Sequence, residues 1–416
     1  MYEVSKSLSP AMKNLSGSSR DPAPKTASAA PYYHASQEHL PSVQICFNPF
    51  KAKQTGDRSP IYCWSPIYSF IAYLLFMIVT ISPCDSSDDV SAAKAIGRAA
   101  EAVLRSDGSL SVFEKPTIRE KPITLFPKSK IVFISGGQNG IALGQNGEVS
   151  TWDSVCSNEE VPVCRVESRS IGGIAAVHAA SVDNPKTGGT VRLIVDQYGN
   201  VFGLGDDSEG QISGRIDDVG SQKRTYIKFV RVPLPVRIKK VYLGAFHAMA
   251  IDEAGVVWTW GGKSYQLARG SGELYSGERG FSATRLTSLP KIRSVSADLA
   301  TYALAEDGKV WRWGIRKEVC KSDCQPAIID FTAKIEQIST STFYTLFLDV
   351  DRKCYLIGND SVFGTSKSPD SEEIPRSITM LDGVDVISAT VNVAAAIRDG
   401  VVLTYGLRGP GRRLKF

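Results

Sequence analysis

The sequence predicts an all-β fold: a seven-bladed β-propeller of four-stranded blades, preceded by a disordered tail and a single hydrophobic helix. Three observations carry this. Two apolar runs flanking an Asp-Gly or similar turn recur seven times, a segment of proline and aliphatic residues follows many of the copies, and one charge-free apolar stretch precedes them all.

Taken in order, residues 1–58 are polar, rich in Ser, Pro and Ala, and without periodicity, which predicts a disordered tail. From Ser59 to Cys84 no residue is charged, and the centre "IYSFIAYLLFMIVTI" (67–81) is almost unbroken apolar side chain. Residues 61–82 therefore have about the length that a hydrocarbon layer of roughly 30 Å demands of a helix, and read as a transmembrane or signal-anchor segment. Lys51, Lys53 and Arg58 precede it and Asp85, Asp88 and Asp89 follow, so the positive-inside rule places the rest of the chain on the non-cytoplasmic side. Two alternatives stay open: export after signal cleavage near Ser82-Pro83-Cys84, and a cytoplasmic propeller whose apolar segment is a buried helix.

The repeats fill residues 91–408. The clearest is "KIRSVSADLATYALAEDGKVWRWG" (291–314), matched by "KIVFISGGQNGIALGQNGEVSTWD" (130–153), "KKVYLGAFHAMAIDEAGVVWTWG" (239–261), "KIEQISTSTFYTLFLDVDRKCYLIG" (334–358) and "GVDVISATVNVAAAIRDGVVLTYG" (383–406). Less regular copies lie at 99–113 and 169–205. The turn anchors are Gly108, Gly147, Gly199, Gly255, Gly308, Asp351 and Gly400. At most of them Asp-Gly or Asn-Gly between apolar runs supplies the positive φ of a two-residue hairpin. Runs such as "VYLGAFHAMAI" are apolar nearly throughout, as strands covered on both faces are. The segments "KPITLF" (121–126), "VPVCRV" (161–166), "LPVRI" (234–238), "QPAIIDF" (325–331) and "IPRSITML" (374–381) place proline where an outer edge strand tolerates it. Residues 409–416 read as a basic tail.

An aliphatic strand, Gly-x-x-His, an Asp-Gly-type turn and Trp-Gly, best kept in "GAFHAMAIDEAGVVWTWGGKSYQLARG" (244–270), resemble the regulator of chromosome condensation repeat. "GLGDDSEGQISG" (203–214) looks like that family's Gly-Gln-Leu-Gly loop, while most copies here lack the histidine. The resemblance implies a divergent seven-bladed member that works through contacts with a protein partner, or as a guanine-nucleotide exchange factor for a small GTPase.

Composition narrows the function. The net charge is +5, and the first 65 residues hold seven Lys and Arg against four Asp and Glu, so the propeller is nearly neutral and no nucleic-acid partner is expected. Only His178 and His247 lie beyond residue 85, too little imidazole for a metal hydrolase of the usual kind. No nucleophile elbow, zinc-helix or phosphate-loop motif occurs, so neither enzyme activity nor a cofactor is expected. The pairs Trp258/Trp260 and Trp311/Trp313 sit at strand spacing and read as packing between blades.

Partner recognition is expected in the long inter-blade connections, above all 206–236. That stretch is acidic at Asp206, Asp207, Glu209, Asp217 and Asp218, then basic at Arg224, Lys228 and Arg231. Cys156 with Cys164, and Cys320 with Cys324, flank loops and are candidate local disulfides if the propeller lies outside the cytoplasm, with free thiols as the alternative.

Overall fold

The computed structural model describes residues 93–97, 101–113, 122–126, 130–156, 164–214, 224–262, 264–268, 281–314, 325–364, 374–406 and 409–413. The expected tail 1–58 and apolar helix 61–82 lie outside these residues. Among the described residues no helix is long and apolar enough to cross a membrane.

Seven antiparallel four-stranded sheets follow one another along the chain. Blade 1 comprises β1 (Ala93–Ile96), β2 (Ala102–Arg105), β3 (Leu110–Val112) and β4 (Ile123–Leu125). Blade 2 comprises β5 (Ile131–Gly136), β6 (Gly140–Gly144), β7 (Val149–Cys156) and β8 (Cys164–Ile171). Blade 3 comprises β9 (Ala176–Asp183), β10 (Thr190–Asp196), β11 (Val201–Asp206) and β12 (Thr225–Arg231). Blade 4 comprises β13 (Ile238–Leu243), β14 (His247–Asp252), β15 (Val257–Gly261) and β16 (Phe281–Arg285). Blade 5 comprises β17 (Ile292–Ala297), β18 (Thr301–Ala305), β19 (Val310–Trp313) and β20 (Ala327–Ile329). Blade 6 comprises β21 (Ile335–Thr340), β22 (Tyr344–Asp349), β23 (Cys354–Gly358) and β24 (Arg376–Ser377). Blade 7 comprises β25 (Val386–Ala389), β26 (Val393–Arg398), β27 (Val401–Gly406) and β28 (Gly409–Arg413). Each sheet pairs its strands in sequence order, so every blade is a meander of strands A to D.

The buried apolar residues form a layer at each junction between neighbouring blades. β14 shows why its sequence is apolar throughout: Ala248 and Ala250 face blade 3, whereas Met249 and Ile251 face blade 5. A strand covered on both faces has no polar side to alternate with. The tryptophans fill these layers as expected. Trp260 and Trp313 are buried, and their indole N–H groups donate to the carbonyls of Gln211 (2.7 Å) and Gln266 (3.0 Å) in the preceding blade.

The hairpin turns differ from the two-residue expectation. In blades 1 to 6 the loop has three residues, with the third in the left-handed region. Gly147, at φ 78, donates its N–H to the Gly144 carbonyl, while the Gly144 N–H reaches the Glu148 carbonyl. This is a type I turn closed by a glycine bulge. In blade 6 the left-handed position belongs to Arg352 (φ 59), one residue beyond the expected anchor Asp351. Only blade 7 has the two-residue form, with Asp399 (φ 51) and Gly400 (φ 73) between the paired Arg398 and Val401.

Three further expectations are corrected. "LPVRI" is not an outer strand: residues 234–237 lead into β13, and the outer strand of blade 3 is β12. The connection 206–236 is not a continuous loop, since it carries the outer strand β12. Residues 409–413, expected as tail, form β28 on the edge of blade 7.

Candidate functional site

In a meander the A–B and C–D loops leave the sheet at one end and the B–C turns at the other. One face of the ring therefore carries the long loops and the opposite face carries tight turns. At blades 5 to 7 the A–B loops are three residues long and hold Leu299, Phe343 and Val391 at 37, 52 and 39% exposure. Phe343 and Val391 border a hollow of about 230 Å³ together with Asn359 and Asn392. In blade 4 the equivalent loop holds Phe246, whose ring lies 4.8 Å beneath the Lys186 ammonium of blade 3. Sequence reasoning missed these tips because they sit inside apolar runs such as "STSTFYTLF"; the signal was an apolar residue at the break between two strands.

The structure divides the eight candidate residues of the 206–236 connection. Its described acidic members are internal. Asp206 is buried, accepting the Ser208 N–H at 2.9 Å and the Asn184 amide at 3.3 Å, as well as the hydroxyls of Ser208 and Thr187. Asp207 is buried, accepts the N–H of Ile212 (2.7 Å) and of Ser213 (3.2 Å), and lies 3.5 Å from Arg224. Burial pushes its carboxyl above the usual range, against the pull of those hydrogen bonds and of Arg224. Glu209 is buried against Lys186 Nζ at 2.7 Å. Their charge is spent on bracing the loop from within, so these three do not form the solvated acidic patch that the sequence suggested.

Of the basic members, half-buried Arg224 pairs with Asp207 and donates to Ser213 Oγ at 3.0 Å. Lys228 and Arg231 lie on β12 rather than on a loop, with Arg231 donating to Asn200 Oδ1 at 2.9 Å. Asp217 and Asp218 lie outside the described residues, as do Cys320 and Cys324. Cys156 and Cys164 are direct partners across β7 and β8. Among the described residues no group of three His, Cys, Asp or Glu could hold a metal ion.

Lys228 borders a cleft of about 670 Å³ between the outer strands β8 and β12 of blades 2 and 3. Deeper between these two blades, Arg192 donates to the carbonyls of Gly140 (3.2 Å) and Trp152 (3.0 Å) and pairs with Asp153.

The inner wall is built from first strands that bond to one another. Ser135 Oγ accepts the Ser181 N–H at 3.0 Å, and Ser296 Oγ accepts the Thr340 N–H at 2.9 Å. Between blades 3 and 4 the acceptor is His178 Nδ1, which takes the Val241 N–H at 3.3 Å and must be neutral to do so. Burial, with Lys240 nearby, lowers the His178 pKa to about 4. Burial alone lowers that of His247, which shares a hydrogen bond with Thr301 Oγ1 at 2.8 Å, to about 4.

Comparison with known proteins agrees with this architecture. No protein-family model matches the chain. An Arabidopsis thaliana relative, the RCC1 domain-containing protein RUG3, mitochondrial, is 28% identical over 208 residues, 46% of this chain and 43% of that protein. Human WBSCR16 superposes with a TM-score of 0.55 at 16% identity, over 73% of this chain and 88% of that one. Yeast RCC1 (Prp20), solved with Kap60, gives 0.55 at 18% identity over 76% and 78%. The chain is an RCC1-like seven-bladed propeller. The match to the curated relative spans under half of that relative's length, and the solved structures carry the likeness of fold alone.

Proposed function

We propose that this chain is a non-catalytic binding module that recognises a protein partner through its loop-bearing face. The observation that carries the reading is the run of apolar A–B tips at Leu299, Phe343 and Val391 on consecutive blades. Large apolar side chains held in water by a rigid scaffold gain free energy when a partner covers them, about 25 cal/mol for each Å² buried. Propellers of like fold offer precedent: yeast RCC1 (Prp20) has been solved with Kap60, and Prp20p has been studied for its binding to Gsp1p and histones. Those partners belong to those proteins. In the same reading, the apolar segment 61–82 tethers the module to a membrane with the propeller on the non-cytoplasmic side, and retention of the full chain in the membrane pellet after carbonate extraction is the expected result.

A photoreactive phenylalanine analogue placed at Phe343 tests the binding face. Expected is a covalent adduct with a protein partner, absent when the same probe replaces Tyr198 in the blade 3 turn on the opposite face. Adducts at Tyr198 and none at Phe343 would overturn the reading. Accelerated guanine-nucleotide release from a small GTPase, if measured, would replace simple binding by exchange.

A further inference from the structure

We infer that the cleft between β8 and β12 is a docking groove for an extended acidic peptide with interspersed aliphatic side chains. The inference rests on the protein-binding reading and assigns a second surface to it, on the outer rim rather than on the loop face.

The two strands that wall the cleft are the outermost of their blades, and among the described residues each is paired with a strand on one side only. β8 has eight residues and β12 seven, so the walls run for roughly 23 Å at about 3.3 Å per residue, the span of an extended heptapeptide. The walls expose apolar surface. Ile227 is 83% exposed, and Phe229, Ile171 and Ile174 are half-buried around the same space. An exposed isoleucine on a free strand edge is a liability for a protein meant to stay apart from others, and an asset where a chain must dock.

Charge selects the partner. Both acids lining the cleft are already engaged: Asp153 with Arg192, and Glu167 with Arg165 at 2.6 Å. Arg169 and Lys228, one on each wall, are exposed and form no ion pair with any described residue. Two cations bordering the same aliphatic-walled cleft, neither in an ion pair with a described residue, suit carboxylates spaced along an extended chain. The acids within the lining, and walls that are more aliphatic than aromatic, suit a phosphate backbone less well, since stacking on flat rings is what holds unpaired bases.

The test is fluorescence anisotropy of a labelled octapeptide alternating glutamate with leucine, titrated with the full chain. Expected is saturable binding that weakens several-fold as salt rises from about 50 to about 500 mM. The double charge reversal Arg169→Glu/Lys228→Glu is expected to weaken it at least tenfold, with an unchanged melting temperature. Phe343→Asp is expected to leave it intact, which separates this groove from the loop face: loss of one site does not bear on the other. No saturable binding at millimolar protein, equal binding of the reversed variant, equal binding of a lysine–leucine octapeptide, or tighter binding of an oligothymidylate would each overturn the proposal.

Discussion

The carbonyl of Gly400, in the last hairpin turn, accepts the N–H of Ala93, in the first strand, at 2.9 Å. The same bond joins each turn to the next blade, from Gly108 to Ile131 and onward round the ring. Among the described residues no strand is exchanged at the join between blades 7 and 1, which is held by this bond, by Ser388 Oγ donating to the Gly97 carbonyl at 3.0 Å, and by a small layer of Val103, Ala395, Ile397 and Val402. Ile397→Ala is expected to cost about 2–5 kcal/mol, and Val401→Ala, on the exposed side, under about 0.5 kcal/mol. Urea unfolding of the two variants measures the contrast, and equal midpoints would remove blade 7 from the closure.

Left-handed turns impose a second expectation. A Cβ at position 147 would meet the Ala176 carbonyl oxygen at 2.9 Å and its nitrogen at 3.0 Å, both in the backbone of the next blade. Gly147→Ala should lower stability by about 1–2 kcal/mol, from the strained φ and from that contact. Thermal melts compared with Ala254→Gly, in the equivalent turn of blade 4, show whether backbone conformation is the cause.

How much of this was legible beforehand depends on what each residue does locally. Glycine turns and doubly covered strands are written in short windows, so blade number and four-strand order could be read directly. Arg352 displaced one turn anchor by a residue, to Asp351, because a left-handed residue other than glycine leaves no mark in the sequence. β12 was hidden for a different reason: "TYIKFVR" alternates weakly and is flanked by charge, so it looked like loop. The candidate site was less legible. Asp206, Asp207 and Glu209 read as a solvated patch because their partners, Asn184, Lys186, Ser213 and Arg224, come within reach only after the chain has folded.

Acid should weaken the fold through the two buried imidazoles. Both have folded pKa values lowered from 6.5 to about 4, so their neutral forms sustain stability above the unfolded value, and that stability is lost as pH falls from about 6.5 towards 4. Each contributes a loss of about 2 kcal/mol by pH 5. His178→Asn keeps an acceptor near the Val241 N–H without a titrating proton. Its urea midpoint is expected to fall less between pH 7 and pH 5 than that of the wild type, and parallel falls would discount His178.

Asp207 holds the 206–214 loop from inside, through the N–H groups of Ile212 and Ser213. Asp207→Ala leaves those donors without their acceptor at a cost of about 1–3 kcal/mol. Limited trypsinolysis is expected to cut between residues 206 and 224 at least several-fold faster in the variant, and an unchanged rate would show that the carboxylate is not what holds the loop.

The loop-bearing face is tested most directly by titrating a purified partner, once trapped at Phe343, against charged variants of both faces. Phe343→Asp and Val391→Asp are each expected to weaken binding at least tenfold, while Tyr198→Asp leaves it unchanged. Unaltered affinity in the first two, with a loss in the third, would contradict recognition through the apolar loop tips.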